Sequence, residues 1–149
     1  MKAVIQRVSE ASVAVDKKII GQIEKGFMVL LGVDREDTEE DLEYLVKKIT
    51  GMRIFEDSEE KMNLALSDVG GSLLVVSQFT LLASTKKGNR PSFTQAGAPE
   101  MSRQLYEEFI RRCRDMGFHV EHGQFGAHME VALVNDGPVT ILMDSKARS

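Results

Sequence analysis

The 149-residue chain contains no tryptophan, one cysteine, three prolines and three histidines. Each scarcity excludes something. A lone Cys113 rules out an intrachain disulfide and any multi-thiol metal centre, and it sits in a helical apolar pattern where a packed thiol is expected rather than a nucleophile. His119, Glu121 and His122 suggest a metal cluster at first glance. On a strand the two histidines point to opposite faces, and no further Cys or His pattern completes a zinc site, so no metal and no cofactor is expected. There is no Gly-x-Ser-x-Gly elbow of the serine hydrolases. Gly70 and Gly71 precede a strand rather than a helix and so do not make a phosphate-binding loop. No apolar run approaches the roughly 18 residues of a membrane span, and the first residues lack a signal-peptide apolar region, so a cytoplasmic protein without membrane contact is expected. Positive charge is also short: 19 Lys and Arg against 23 Asp and Glu give a net charge of −4. Affinity for nucleic acid is carried largely by cations that neutralise phosphates, so an acidic chain cannot grip a long duplex strongly unless its cations are segregated. Two local clusters exist, Lys86, Lys87 and Arg90 in a loop and Arg111, Arg112 and Arg114 on a helix, and contact with only the terminal nucleotides of an RNA would fit this balance.

What is present is ordinary for a globular domain, with 42% hydrophobic and 28% charged residues. Residues 1–149 read as one domain with no repeat or linker. Ala3 to Val8, Ser12 to Val15, Ile19 to Ile23 and Phe27 to Val33 have strand character, with turns at Asp16-Lys17 and Glu24-Lys25-Gly26. Asp37 or Thr38 caps a helix with an acidic first turn and a Leu42, Leu45, Val46, Ile49 stripe, stopped by Gly51. Met52 to Phe55 reads as a further strand. Ser84 to Ala98 is a long connection without periodicity, the natural wall or lid of any adjacent pocket. Pro99 opens a second helix with Met101, Leu105, Phe109, Ile110 and Cys113 inward, and Gly117 ends it. The expected class is α+β: strand-rich mixed β-sheets, barrel-like, with two main helices packed against them.

Two segments are hard to explain by packing alone. Leu73 to Leu82 reads Leu-Leu-Val-Val-Ser-Gln-Phe-Thr-Leu-Leu, apolar on both faces at first, as in a strand buried on both sides. Ser77, Gln78 and Thr80 then put hydrogen-bonding side chains where the sheet should be dry, and each costs about 1–3 kcal/mol if left unpaired. Further on, Met129 to Val134 and Val139 to Met143 flank Asn135-Asp136-Gly137, which reads as a hairpin turn. Pro138 is odd there, because it removes a donor where a return strand should begin pairing.

These two segments, together with Met1-Lys2-Ala3-Val4-Ile5-Gln6-Arg7-Val8 and Gly123-Gln124-Phe125-Gly126-Ala127-His128-Met129, resemble the D-aminoacyl-tRNA deacylase family. The four matches span nearly the whole chain in the family's order. The resemblance implies hydrolysis of the ester joining a D-amino acid, or glycine, to the 3′ adenosine of tRNA. It implies a homodimer with its active sites at the subunit interface. It also implies a cis Gly137-Pro138 bond that reaches into the partner's pocket and excludes the L-enantiomer. On this basis Thr80 is the first candidate to contact the scissile ester. Phe79 and Thr80 offer backbone N–H groups for an oxyanion, while Ser77 and Gln78 complete the polar end and Gln78 orients substrate. No His or Lys in either motif activates Thr80, which favours positioning over covalent catalysis. Gly137 and Pro138 carry selectivity, Arg7 anchors their backbone, and Phe125 and Met129 line the pocket. The competing readings are a non-catalytic RNA- or nucleotide-binding module built on the Ser84–Ala98 loop, and a scaffold dimer.

Overall fold

The computed structural model describes residues 1–148. Its longest elements are two strands, β1 (Lys2–Val15) and β8 (Glu130–Asp144), paired antiparallel along most of their length. On its other edge β1 meets β3 (Gly26–Gly32) through its first half and β2 (Lys18–Ile23) through its second. The sheet continues through β6 (Ser72–Ser77), parallel to β3, and β7 (Val120–His122), parallel to β6. Short β4 (Phe55–Glu56) and β5 (Met62–Leu64) pair with each other. The main sheet curls until β2 approaches β7: a Cβ on Gly21 would lie 2.8 Å from the His122 carbonyl oxygen. The outcome is the expected α+β, barrel-like mixed sheet with two helices.

Alternation along the central strands supplies two cores. Phe27, Val29 and Leu31 of β3 and Leu73 and Val75 of β6 face helices α1 (Glu39–Gly51) and α2 (Pro99–Asp115). Met28, Leu74 and Val76 point the other way, into the barrel with Val8, Val13 and Ile23. Strands buried on both faces explain the near-continuous apolar runs in β3 and β6. Capping-box bonds between Thr38 and Asp41 start α1, and Pro99 sits in the first turn of α2. The Tyr106 hydroxyl of α2 donates to the Val75 carbonyl at 2.9 Å, tying that helix to the strand that carries the motif. The Met1 ammonium, fully buried, donates to Asp37 Oδ1 at 2.6 Å and Ser145 Oγ at 2.7 Å.

Several local expectations are corrected. The two runs at the amino end form one strand, β1, and Met52 to Phe55 yields only the two-residue β4. The strand through Leu73–Leu82 stops at Ser77, and Phe79–Leu82 is a 3-10 turn. Asn135-Asp136-Gly137 is not a hairpin turn. Both halves of β8 pair with β1 in the same direction, Thr140 opposite Gln6 and Asn135 opposite Val8, so residues 136–139 bulge out opposite Arg7. A hairpin needs the two runs to pair with each other, and β1 is the better partner for both.

Candidate active site

The strand-to-turn transition at the end of β6 follows from its neighbour. The Gln78 N–H donates to the Leu31 carbonyl at 2.8 Å, the last bond to β3, after which the chain turns across the end of that strand. The turn needs Gly32 beneath it. A Cβ there would lie 2.8 Å from Leu82 Cδ2 and 2.9 Å from the Gln78 carbonyl oxygen. A glycine inside an apolar strand was the available sequence signal for such a close approach.

A cavity of about 510 Å³ opens at this transition. Ser77, Gln78 and Phe79 line one side, and Phe125 and Met129, from the segment before β8, line another. Sequence reasoning missed His128 and Ser102 in the same wall. Ser102 is a buried hydroxyl on the otherwise apolar face of α2, one turn before Tyr106, and that polar interruption was legible. Among the described residues no carboxylate or thiol lines the cavity, and no three His, Cys, Asp or Glu side chains converge on a metal position. Its chemistry is that of a largely apolar pocket with a few oriented hydrogen-bonding groups.

Thr80 departs from expectation. It is exposed on the 3-10 turn rather than facing inward from a buried strand, and it does not line the cavity. Its hydroxyl accepts a hydrogen bond from the Gln78 amide. The first N–H groups of a helical turn lack partners inside it. Here the N–H groups of Phe79 and Thr80 meet no acceptor among the described residues. Phe79 itself is 55% exposed at the rim, with Phe93 edge-on against it at 5.2 Å.

The second cluster surrounds Arg7, which is only 4% exposed although it is the sole charge on its part of β1. Its Nε donates to the Asp136 carbonyl at 2.8 Å, and its Nη1 to the buried Ile54 carbonyl at 2.7 Å. Glu56 Oε1 lies 3.3 Å from Nη2. Asn135 closes the neck of the bulge by imitating a strand neighbour: its Oδ1 accepts the Val139 N–H at 2.7 Å, and its Nδ2 donates to the Val139 carbonyl at 3.2 Å. Asp136, Gly137 and Pro138 are thereby presented outward and exposed, with the Gly137-Pro138 bond cis. Gly137 has φ +144°, and a Cβ there would sit 2.9 Å from the Val139 nitrogen and 3.2 Å from Arg7 Nη2. Within one chain this cluster and the cavity are separate, since Arg7, Gly137 and Pro138 line no part of it.

The fold and these two clusters define a small barrel protein with a strand-end pocket at Ser77–Phe79 and an outward, hydrogen-bonded Gly-Pro bulge. Residues 4–144 match the family described as D-Tyr-tRNA(Tyr) deacylase, and the chain belongs to that family. It is 57% identical over 145 residues, 97% of each protein, to the D-aminoacyl-tRNA deacylase of Clostridioides difficile (strain 630). To the D-aminoacyl-tRNA deacylase of Thermosipho africanus (strain TCF52B) it is 54% identical over 146 residues, 98% of each. Among solved structures it is similar to a chain described as c-Myc DNA Unwinding Element Binding Protein, with 42% identity and a TM-score of 0.92 over 99% of this chain and 100% of that one. A probable eukaryotic D-amino acid tRNA deacylase, at 21% identity and a TM-score of 0.78 over 95% and 97% of the two chains, shares the fold.

Proposed function

We propose that this chain acts as a cytoplasmic homodimer that hydrolyses the ester between a D-amino acid and the 3′ adenosine of tRNA, and likewise glycyl-tRNA mischarged on the alanine tRNA, while sparing L-aminoacyl esters. Family membership and relatives named D-aminoacyl-tRNA deacylase at 54% and 57% identity support the activity. The observation that carries the two-subunit site is the Gly137-Pro138 bulge, fixed by Arg7 and Asn135 yet lining no cavity of its own chain. A second copy offers it a cavity of about 510 Å³. The surface nearby suits such a contact: among the described residues β8 pairs only with β1, and its outward Val134 and Leu142 are 50% and 75% exposed.

In this reading water, helped by the ribose hydroxyl of the substrate, attacks the ester carbonyl carbon. The carbonyl electron pair moves onto oxygen, where the unpartnered N–H groups of Phe79 and Thr80 receive it. The C–O bond to the 3′ oxygen then breaks, that oxygen takes a proton, and D-amino acid and tRNA are released. Ser77 and Gln78 hold the aminoacyl group, and Gln78 holds the Thr80 hydroxyl. Phe125 and Met129 provide apolar wall. Gly137 and Pro138 from the partner stand against the α-carbon, where backbone walls reject an L side chain but admit a D side chain or a hydrogen. Glycine follows by the same geometry.

Subunit mixing tests the composite site. Gly137→Ala impairs the bulge and Ala127→Trp fills the cavity, so each homodimer is inactive. Refolded together in equal amounts, half the dimers carry one intact site of two, restoring about a quarter of wild-type deacylation. Failure of mixed dimers to recover any activity removes the cross-subunit reading. The alternative, a nucleic-acid-binding module without turnover, is favoured by the name of the 42%-identical structure, a DNA unwinding element binding protein. It predicts tRNA binding that is blind to the acyl group and no ester loss.

A further inference from the structure

The two basic clusters differ sharply in what already neutralises them. On α2, Arg111 pairs with Glu108 and with Asp115, and Arg112 with Glu108 and Glu39. Arg114 donates to the Val120 carbonyl at 2.7 Å. These guanidiniums have carboxylate or carbonyl acceptors, so a phosphate arriving there displaces existing bonds. Lys86, Lys87 and Arg90 have no side-chain acceptor among the described residues, and all are exposed.

Their segment is also not the shapeless loop its sequence suggests. Ser84 and Ser92 exchange two backbone hydrogen bonds of 2.8 Å each, closing a hairpin whose tip holds all three cations. Gly88, at φ +116°, sits in that tip. The base is tied to the end of β3: the Arg35 N–H donates to the Gln95 carbonyl at 2.9 Å, the Gly97 N–H to the Val33 carbonyl at 2.9 Å, and the Gln95 amide to Asp34 Oδ1 at 2.9 Å. Between tip and base, Phe93 remains 37% exposed while packing edge-on against Phe79 at the cavity rim. Three unpaired cations beside a pair of solvent-facing rings are the two components of a single-strand nucleic-acid platform, phosphate neutralisation and base stacking.

We infer that the Ser84–Ser92 hairpin and Phe93 form the docking site for the single-stranded 3′ end of tRNA, with Lys86, Lys87 and Arg90 on its phosphates and Phe93 beneath a base. The inference rests on the reading of the adjacent cavity as the aminoacyl site. It resolves the conflict between an acidic chain and a polyanionic partner: the contact is confined to a few nucleotides, and three cations suffice for it.

The test uses binding of uncharged tRNA to the full-length protein across a salt series, so it does not depend on turnover. Neutralising three single-strand phosphates contributes about 2 to the slope of log affinity against log salt. The Lys86→Ala/Lys87→Ala/Arg90→Ala variant is expected to lose that much slope and, at low salt, about tenfold or more in affinity. Phe93→Leu is expected to lose about tenfold with the slope intact, because stacking goes and charge does not. Arg111→Ala should leave the slope as it is. Trimming the unpaired 3′ nucleotides from the tRNA should weaken the wild type and abolish its difference from the triple variant. An unchanged slope in the triple variant, or equal binding of trimmed and intact tRNA, overturns the inference. Neither result bears on whether the enzyme cleaves D-esters, which a parallel deacylation assay of the wild type decides.

Discussion

Arg7→Met removes the group that joins the Gly137-Pro138 bulge to the rest of the barrel. Methionine keeps the unbranched apolar stem and suits a site only 4% exposed, and the space left where the guanidinium ends is a secondary cost. The loss is in hydrogen bonding. The Ile54 carbonyl is buried and loses its 2.7 Å donor, and the Asp136 carbonyl loses one at 2.8 Å. Bonds from a charged donor contribute about 1.5–3 kcal/mol each. Glu56 is half-exposed and stays solvated when its partner leaves, so that ion pair adds little. Removing a buried guanidinium also returns part of its desolvation cost, which places the net destabilisation near 3 kcal/mol. With a urea m-value of about 2 kcal/mol/M, the unfolding midpoint should fall by about 1.5 M. A fall below about 0.3 M refutes the reasoning, since it means the two carbonyls find other donors at no cost. At urea-free conditions where the variant is folded, its D-over-L preference should also shrink, because Asp136 is no longer held. Preserved selectivity in a destabilised variant limits Arg7 to a structural role.

Other consequences are simpler. Tyr106→Phe should cost about 1 kcal/mol, seen as a melting temperature about 2–4 °C lower, because the Val75 carbonyl keeps the Gly123 N–H at 3.2 Å after the hydroxyl is lost. Burial pushes the Cys113 thiol up to about 12, so folded protein at pH 8 should resist a thiol reagent that labels the unfolded chain fully. Burial alone would raise Asp41, but the Thr38 N–H, Lys146 and Ser145 bonds outweigh it and hold that carboxyl well below the ordinary range. A depressed folded value means stability that is present above about pH 4 and lost as pH falls below it. Asp37, raised by burial, opposes this in the same region, since its contribution is present at low pH and lost as pH rises. Asp41→Asn should therefore flatten the fall in stability below about pH 4, and an unchanged acid limb contradicts the assignment.

Helices were legible because their signals are local: Thr38 with Asp41 at one start, Pro99 at the other, and apolar residues at helical spacing behind each. The errors concern non-local pairing. Asn-Asp-Gly is a turn signal wherever it stands, and only β1 running alongside both flanks turns it into a bulge. Arg7 reads locally as a charge at an edge, whereas its acceptors come from residues 47 and 129 positions away. The position of Thr80 depends on Gly32, which lets the chain fold across the end of β3 where the apolar run alone predicts a longer strand. Five residues named from sequence, Ser77, Gln78, Phe79, Phe125 and Met129, do line one cavity. Ser102 interrupts an apolar helix face and His128 adjoins Met129, but only the fold brings both to that cavity.

The most direct test of the account is deacylation of D-tyrosyl-tRNA and L-tyrosyl-tRNA measured side by side, with chelator present, for the wild type and Gly137→Ala. The account predicts rapid loss of the D-ester alone from the wild type, and loss of that activity when a methyl group on residue 137 is forced to within 2.9 Å of the Val139 nitrogen. Equal rates on both esters, no hydrolysis of either, or an unaffected Gly137→Ala enzyme would contradict it.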